Sequence, residues 1–416
     1  MSAPIAPDAL RAAVERLLPE TGAFLSELIR FPSTSGREHE AMVFLRDRFA
    51  RVGGFAVEER PMSDALKNDP DYSSPVPDLR YDGRFNLRIA RAGRGGGRTL
   101  LFNTHVDVVP PSEGQPDPWS GRVADGIVHG RGACDAKGQV ATLYLVGRAL
   151  AELRPALRGD VEAHLVIEEE NGGNGTLAMV RAGERADGCV VLEPSDGRLY
   201  TSVRGAVWFR IVFRGRAGHS GQAGRTRSAL LMARDAMAAL ERYHADLLAR
   251  SRGIPLFDVY PNPMPITFGK LHAGNWPASA PSEAVLEGVL GLLPNVTYAQ
   301  VCRELQSALD RAGDGAIARD ATLTFLYRHD SSVLDPNHPL PQALLAAAAA
   351  GGAPLAVSGM TASCDAWFYR NQLGIPTVVY GPGSLGVAHS KDEHIALDDI
   401  ARAAENLLRL IAEYCG

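Results

Sequence analysis

The 416-residue sequence predicts an α/β fold in two pieces: a mixed sheet flanked by helices, interrupted by a ferredoxin-like βαββαβ insert. Two observations carry this. Short apolar runs that read as buried strands, among them Arg98–Thr104 and Gly188–Leu192, stop on polar or charged residues in both halves of the chain. From about Ser202 the order becomes strand (Val207–Phe213), helix (Ser228–Arg250), strand (Pro265–Leu271), strand (Ala284–Leu290), helix (Tyr298–Ala312) and strand (Ala321–Tyr327). The expected division is therefore 1–200 and 332–416 for the α/β unit and 201–331 for the insert.

Helices at Asp8–Leu18, Glu20–Arg30 and Glu38–Arg51 open the chain, and Pro19 predicts a break or kink between the first two. Pro61–Arg84, rich in Pro, Asp and Ser and without a helical or strand period, reads as a surface loop. A helix is expected over Ala136–Leu153. In the first helix of the insert, Leu230, Ala233, Met237, Leu240, His244 and Leu247 share one stripe, as packing on a sheet requires. His244 is accordingly read as a packed histidine. Ala346–Ala350 suits a helix interior, and Leu397–Tyr414 forms the closing helix.

Composition excludes several classes. A net charge of -5 gives no reason to expect nucleic acid or an anionic membrane as partner. No apolar run is long enough to span a bilayer. The start, Met1-Ser-Ala-Pro-Ile-Ala-Pro-Asp8, lacks the basic and apolar regions of a signal peptide, so a cytoplasmic location is expected. Cys134, Cys189, Cys302, Cys364 and Cys415 are scattered and read as reduced thiols.

The chemistry-bearing residues sit mostly where apolar runs end. His105 and Asp107 close Leu101-Leu-Phe-Asn-Thr-His-Val-Asp; in a strand, residues two apart share a face, so Asp107 is placed to support His105 as a metal ligand. Asp135 follows a glycine-rich turn and precedes a helix, where a plain N-cap is the competing role. Glu168, Glu169 and Glu170 are adjacent carboxylates that repel one another unless a cation or water lies among them. Glu193 ends a third apolar run, and His389 follows a fourth. Open α/β sheets bind ligands beyond the carboxyl ends of their strands, and these residues cluster there. Each has a bland explanation; together they point to a metal site.

These motifs resemble the metallohydrolase family of acetylornithine deacetylase, succinyl-diaminopimelate desuccinylase, aminoacylase and carboxypeptidase G. The resemblance runs over nearly the whole chain, in the family's order. It comprises His105-Val-Asp-Val-Val-Pro110, Gly130-Arg-Gly-Ala-Cys-Asp-Ala-Lys-Gly138, Glu168-Glu-Glu-Asn-Gly-Gly-Asn-Gly175, Glu193-Pro194, Gly218-His-Ser-Gly221, and Gly381-Pro-Gly383 followed by His389. It implies two divalent metal ions bridged by Asp135, with His105 and Glu193 completing one site and Glu170 and His389 the other. It also implies Glu169 as general base, Asp107 as support for His105, and His219 reaching across a dimer to the scissile carbonyl oxygen. The insert would serve as lid and dimer surface of a homodimer acting on a small molecule.

Imidazole and carboxylate ligands without cysteine suit zinc, with cobalt or manganese as alternatives. A metal-bound water has its pKa lowered to roughly 7, and a free carboxylate beside it takes the proton and passes it to a leaving amine. The expected reaction is hydrolytic deacylation of an N-acyl amino acid or related amide. The alternatives are cleavage of a C–N bond in an aromatic or heterocyclic amide or amine, or carboxypeptidase-type hydrolysis. Gly291 and Trp367 stand where many relatives carry arginine, the side chain that grips a carboxylate in two places. Arg204, Arg328 and Arg370 are the candidate replacements, and Trp276 and Trp367 either line a pocket or belong to the core.

Overall fold

The computed structural model describes residues 6–416 apart from Ser74, Ala223 and Ala316; Met1–Ile5, part of the segment read for a signal peptide, lie outside the described residues. Strands of the principal sheet are β1 (Ala56–Pro61), β2 (Phe85–Arg91), β3 (Leu100–His105), β4 (Val161–Val166), β5 (Gly188–Val191) and β6 (Arg198–Val203). A second sheet follows, of β7 (Gly205–Arg214), β8 (Ile266–Ala273), β9 (Glu283–Leu292) and β10 (Ala321–His329). The chain then returns to the first sheet with β11 (Ser332–Val333), β12 (Ala356–Met360) and β13 (Thr377–Val379).

The principal sheet runs β1-β2-β4-β3-β5-β13-β6-β11, with β12 pairing β6, and is mixed. β3 is parallel to both β4 and β5, and β13 is parallel to β5, whereas β1, β2 and β11 join in antiparallel pairs. β3, β4 and β5 are buried along their whole length, which explains the apolar run of β5 and the Leu-Leu-Phe start of β3, whereas β4 carries Glu162 and His164. Alternation along β3 divides the core. Leu100 and Phe102 face the cluster shared with helices α1 (Pro7–Ile29), α2 (His39–Phe49), α3 (Lys137–Leu153), α7 (Pro339–Ala350) and α8 (Leu397–Tyr414); Leu101 faces the cluster with Leu177 and Val180 of α4 (Asn174–Arg181).

The second sheet is antiparallel, in order β8-β9-β7-β10, and carries α5 (Ala229–Arg250) and α6 (Tyr298–Asp310) over its own apolar core. This is the βαββαβ order expected of the insert. His244 on α5 bonds the Met264 carbonyl at 3.1 Å, as a packed histidine does.

One expectation fails and another holds only in part. Pro19 does not break the first helix, because α1 runs unbroken from Pro7 to Ile29. An interior proline costs about 3 kcal/mol. Here Val14, Leu17, Phe24 and Leu25 lie buried on one continuous face that spans the proline, and packing against α3 and α8 offsets the loss. The segment from Pro61 to Arg84 is a surface excursion only in part. It contains a 3-10 turn at Asp64–Asn68 and buries Ser73, Tyr81 and Arg84. Several of its backbone N–H groups, among them those of Ser73, Val76 and Tyr81, find side-chain partners, which a sequence pattern of turn residues does not reveal.

Candidate metal centre

Three strand ends and two loops converge at one edge of the principal sheet. His105 is the last residue of β3; its Nδ1 lies 2.9 Å from the Asp107 backbone carbonyl and its Nε2 3.0 Å from Asp135 Oδ1 and 3.9 Å from Glu193 Oε2. A loop beyond β13 brings His389, whose Nε2 lies 3.2 Å from Asp135 Oδ2 and 2.9 Å from Glu170 Oε1. The two oxygens of Asp135 thus face different histidines. His105, Asp135 and Glu193 form one group able to hold a cation and Asp135, Glu170 and His389 another, with all ligand atoms of a group within 4.8 Å of one another. Asp135 is not the N-cap of α3: Ala136 occupies that position, without a side-chain cap.

Asp107 touches both His105 and the glutamate loop. His105 Nδ1 sits closer to the Asp107 backbone carbonyl (2.9 Å) than to its carboxylate (3.6 Å). The carboxylate accepts hydrogen bonds from the backbone N–H groups of Glu169 and Glu170, each at 3.1 Å, and so fixes the loop that carries them. His219 is not brought to this centre. It is exposed, on a two-residue strand paired with Ser279–Ala280, and its Nδ1 accepts from the Gly221 N–H at 3.1 Å.

Burial pushes Glu169 and Glu193 well above the usual carboxylate range, against the pull of His105, and raises Glu170 against the pull of His389. Buried His105 is also raised, by the carboxylates of Asp107 and Asp135 against its desolvation, and His389 is raised to about 11 by Glu170 and Asp135 against the same opposing effect. The three carboxylates of Asp135, Glu170 and Glu193 with two imidazoles form a donor set of the kind that holds divalent ions.

Sequence reasoning missed the residues that hold these groups in place. Glu393 accepts from the backbone N–H groups of Gly132, Cys134 and Asp135 at 3.0–3.1 Å and pairs with buried Arg131, clamping the turn that presents Asp135. Glu168, first of the three adjacent glutamates, turns away from the centre with φ of 62°. It accepts from Tyr81 Oη (2.6 Å) and Asn174 Nδ2 (2.9 Å), and Arg84 lies 2.5 Å away and also pairs with Glu38. Arg84 therefore answers part of the repulsion read from that run. The signal available was an isolated arginine ending a loop otherwise read as surface.

The three candidate arginines hold backbone carbonyls: Arg204 that of Thr361, Arg328 those of Pro70 and Tyr72, and Arg370 that of Val333. Trp367 is buried in a stack on His329, whereas Trp276 is 68% exposed. A third acidic and histidine group, Glu162, His164 and Glu184, is already matched with Arg88 and Arg60, which makes it an ion cluster rather than a cation site.

A mixed α/β sheet with paired histidine–carboxylate groups at its strand ends defines a hydrolase of the metal-binding class. Residues 101–413 match the model of peptidase family M20/M25/M40, and the chain belongs to that family, whose members hydrolyse amide bonds. The chain is 31% identical to the succinyl-diaminopimelate desuccinylase of Methylobacterium sp. (strain 4-46), over 95% of this chain and 96% of that one. The acetylornithine deacetylase of Myxococcus xanthus is 25% identical over 96% of this chain and 98% of its own. The N-formyl-4-amino-5-aminomethyl-2-methylpyrimidine deformylase of Bacillus subtilis (strain 168) is 27% identical over 76% of this chain and 79% of its own. In fold, human carnosine dipeptidase 1 superposes with a TM-score of 0.80 at 15% identity, covering 99% of this chain and 100% of that one. No helix among the described residues is long and apolar enough to cross a membrane.

The shifted groups set a pH dependence for the metal-free protein. Raised pKa values of Glu169, Glu170 and Glu193 contribute stability that is full below their unfolded value of 4.5 and lost as pH rises through the folded values. Raised His105 and His389 act in the same direction above 6.5; Asp135, held low by the two histidines despite its burial, acts oppositely, but only below 3.8. A bound cation reverses the preference for protonation. The gain in Tm on adding zinc to chelated protein is therefore expected to be larger near about pH 8 than near about pH 5. Thermal melts across that range check it; a gain that shrinks as pH rises contradicts it.

Proposed function

We propose that the chain is a dinuclear metal-dependent amidohydrolase that deacylates an N-acyl amino acid or a related small amide, in the manner of acetylornithine deacetylase. The observation that carries this reading is the Asp135 carboxylate, with Oδ1 3.0 Å from His105 and Oδ2 3.2 Å from His389. A carboxylate flanked in this way suits a bridge between two ions, with Glu193 beside His105 and Glu170 beside His389. Zinc fits this imidazole and carboxylate set best, with cobalt or manganese as substitutes. When bound, the two ions polarise the scissile carbonyl and make a water easier to deprotonate.

Glu169 takes that proton and delivers it to the leaving amine. Asp107 keeps Glu169 and Glu170 in register by accepting their backbone N–H groups. His219, exposed on the second sheet's side of the molecule, is assigned to the site of a partner subunit, where its imidazole donates to the scissile carbonyl oxygen. The insert then acts as lid and dimer surface, with boundaries near 201 and 331, and the enzyme works on a cytoplasmic small molecule.

Hydrolysis of an aromatic or heterocyclic amide is the second reading. Gly291 and Trp367 offer no guanidinium for a substrate carboxylate, and Arg328 and Arg370 donate to backbone carbonyls, while Arg204 donates to one through Nε and keeps a buried Nη1 without a partner. A relative named as a pyrimidine deformylase fits the same direction. Parallel assays on N-acetyl amino acids and N-formyl heterocyclic amines separate the two readings.

Glu169→Gln is expected to retain bound metal while kcat falls by about 10²-fold to 10⁴-fold on the preferred substrate. Metal analysis beside steady-state kinetics checks this, and near-normal turnover would remove Glu169 as base. Mixing inactive Glu169→Gln with inactive His219→Ala is expected to restore part of the activity through hybrid dimers. Verified subunit exchange without recovery would count against His219 acting in trans.

A further inference from the structure

Beside the centre lies a connected set of contacts that the proposed chemistry does not use. Arg328, near the end of β10 in the second sheet, donates through Nη2 to the carbonyls of Pro70 (3.2 Å) and Tyr72 (3.3 Å). The next residue along, Ser73, is buried and exchanges two hydrogen bonds with Asn174: its N–H donates to Oδ1 at 3.1 Å and its carbonyl accepts from Nδ2 at 2.8 Å. That same Nδ2 donates to Glu168 Oε2 at 2.9 Å. Glu168 directly precedes Glu169 and holds the left-handed turn that sends Glu169 and Glu170 toward the histidines.

The packing leaves little slack. A Cβ on Gly172 would stand 2.2 Å from Ser73 Cβ and 3.4 Å from Tyr327 of β10. One on Gly173 would meet Phe368 at 2.3 Å and Asp365 at 2.7 Å. The far side of the strap is pinned to the principal sheet's helix α4, where Arg181 pairs with Asp69 and Asp71 at 2.7 Å. Arg328 is thus the second sheet's polar grip on a strap otherwise anchored beside the glutamate loop.

We propose that Arg328 is a positioning residue: through the Pro70–Ser73 strap and Asn174 it couples the second sheet to the loop carrying Glu169 and Glu170. Displacing β10 releases two carbonyls of the strap, loosens the Ser73–Asn174 pair and lets Glu168 relax its turn. The inference rests on Glu169 and Glu170 working as proposed above for its effect on turnover, but not for the coupling itself.

The test compares wild type, Arg328→Ala and Arg328→Lys as metal-loaded full-length proteins. Losing a charged donor from two carbonyls is expected to lower kcat roughly tenfold with KM changed less than about twofold. Lysine, able to reach one carbonyl, should recover part of the rate. Hydrogen exchange should quicken in peptides covering both 69–73 and 168–175 in the alanine variant, and the principal sheet should be unchanged. Faster exchange in 69–73 alone, with kcat intact, overturns the coupling. Faster exchange in both with unchanged kcat overturns the positioning role, while turnover surviving in Glu169→Gln would instead sink the assignment of the base.

Discussion

Five carboxylates, those of Asp107, Asp135, Glu169, Glu170 and Glu193, are drawn to one edge of the sheet and largely removed from water. An unmatched buried charge costs several kcal/mol, so this concentration constrains everything around it. Carboxylates that face away from the centre are matched with guanidinium groups: Glu168 and Glu38 with Arg84, and Glu393 with Arg131. The described ion-pair partners of Asp135, Glu170 and Glu193, which face inward, are histidines. Negative charge is thereby left where a divalent ion can compensate it.

The fold supplies the precision that such a centre needs. β3, parallel to its neighbours on both sides, delivers His105 from a fully buried strand, and Asp107 two residues on ties the Glu169–Glu170 loop to it. Glu393 grips the Asp135 turn through three backbone N–H groups, so the loop bearing His389 and the turn bearing Asp135 share one clamp. Holding functional side chains through locked neighbours is what keeps a site within a few tenths of an ångström of its working geometry.

Much of this was legible in the sequence because strand ends announce themselves. Apolar runs that stop on His105, Glu168–Glu170 and Glu193 are buried strands whose pattern is local, the glycine-rich turn marked Asp135 and a fourth run led to His389, and the resemblance added their division between two sites. The clamps were not legible: Glu393 meets Asp135 across 258 residues, and Arg84 meets Glu168 across 84, so no local period marks either. Pro19 misled for the same reason, since its local cost is overridden by packing of α1 against α3 and α8. The strap around Ser73 was read as surface because turn-rich composition says nothing about which side chains will receive its backbone groups.

The bridging assignment of Asp135 is best tested by titrating chelated protein with zinc and counting bound ions per chain, in wild type and in Asp135→Ala. The account predicts two ions in the wild type and weakened binding at both positions in the variant, since one carboxylate serves both histidines. A single ion in the wild type, or two ions bound with undiminished affinity by the variant, would contradict it.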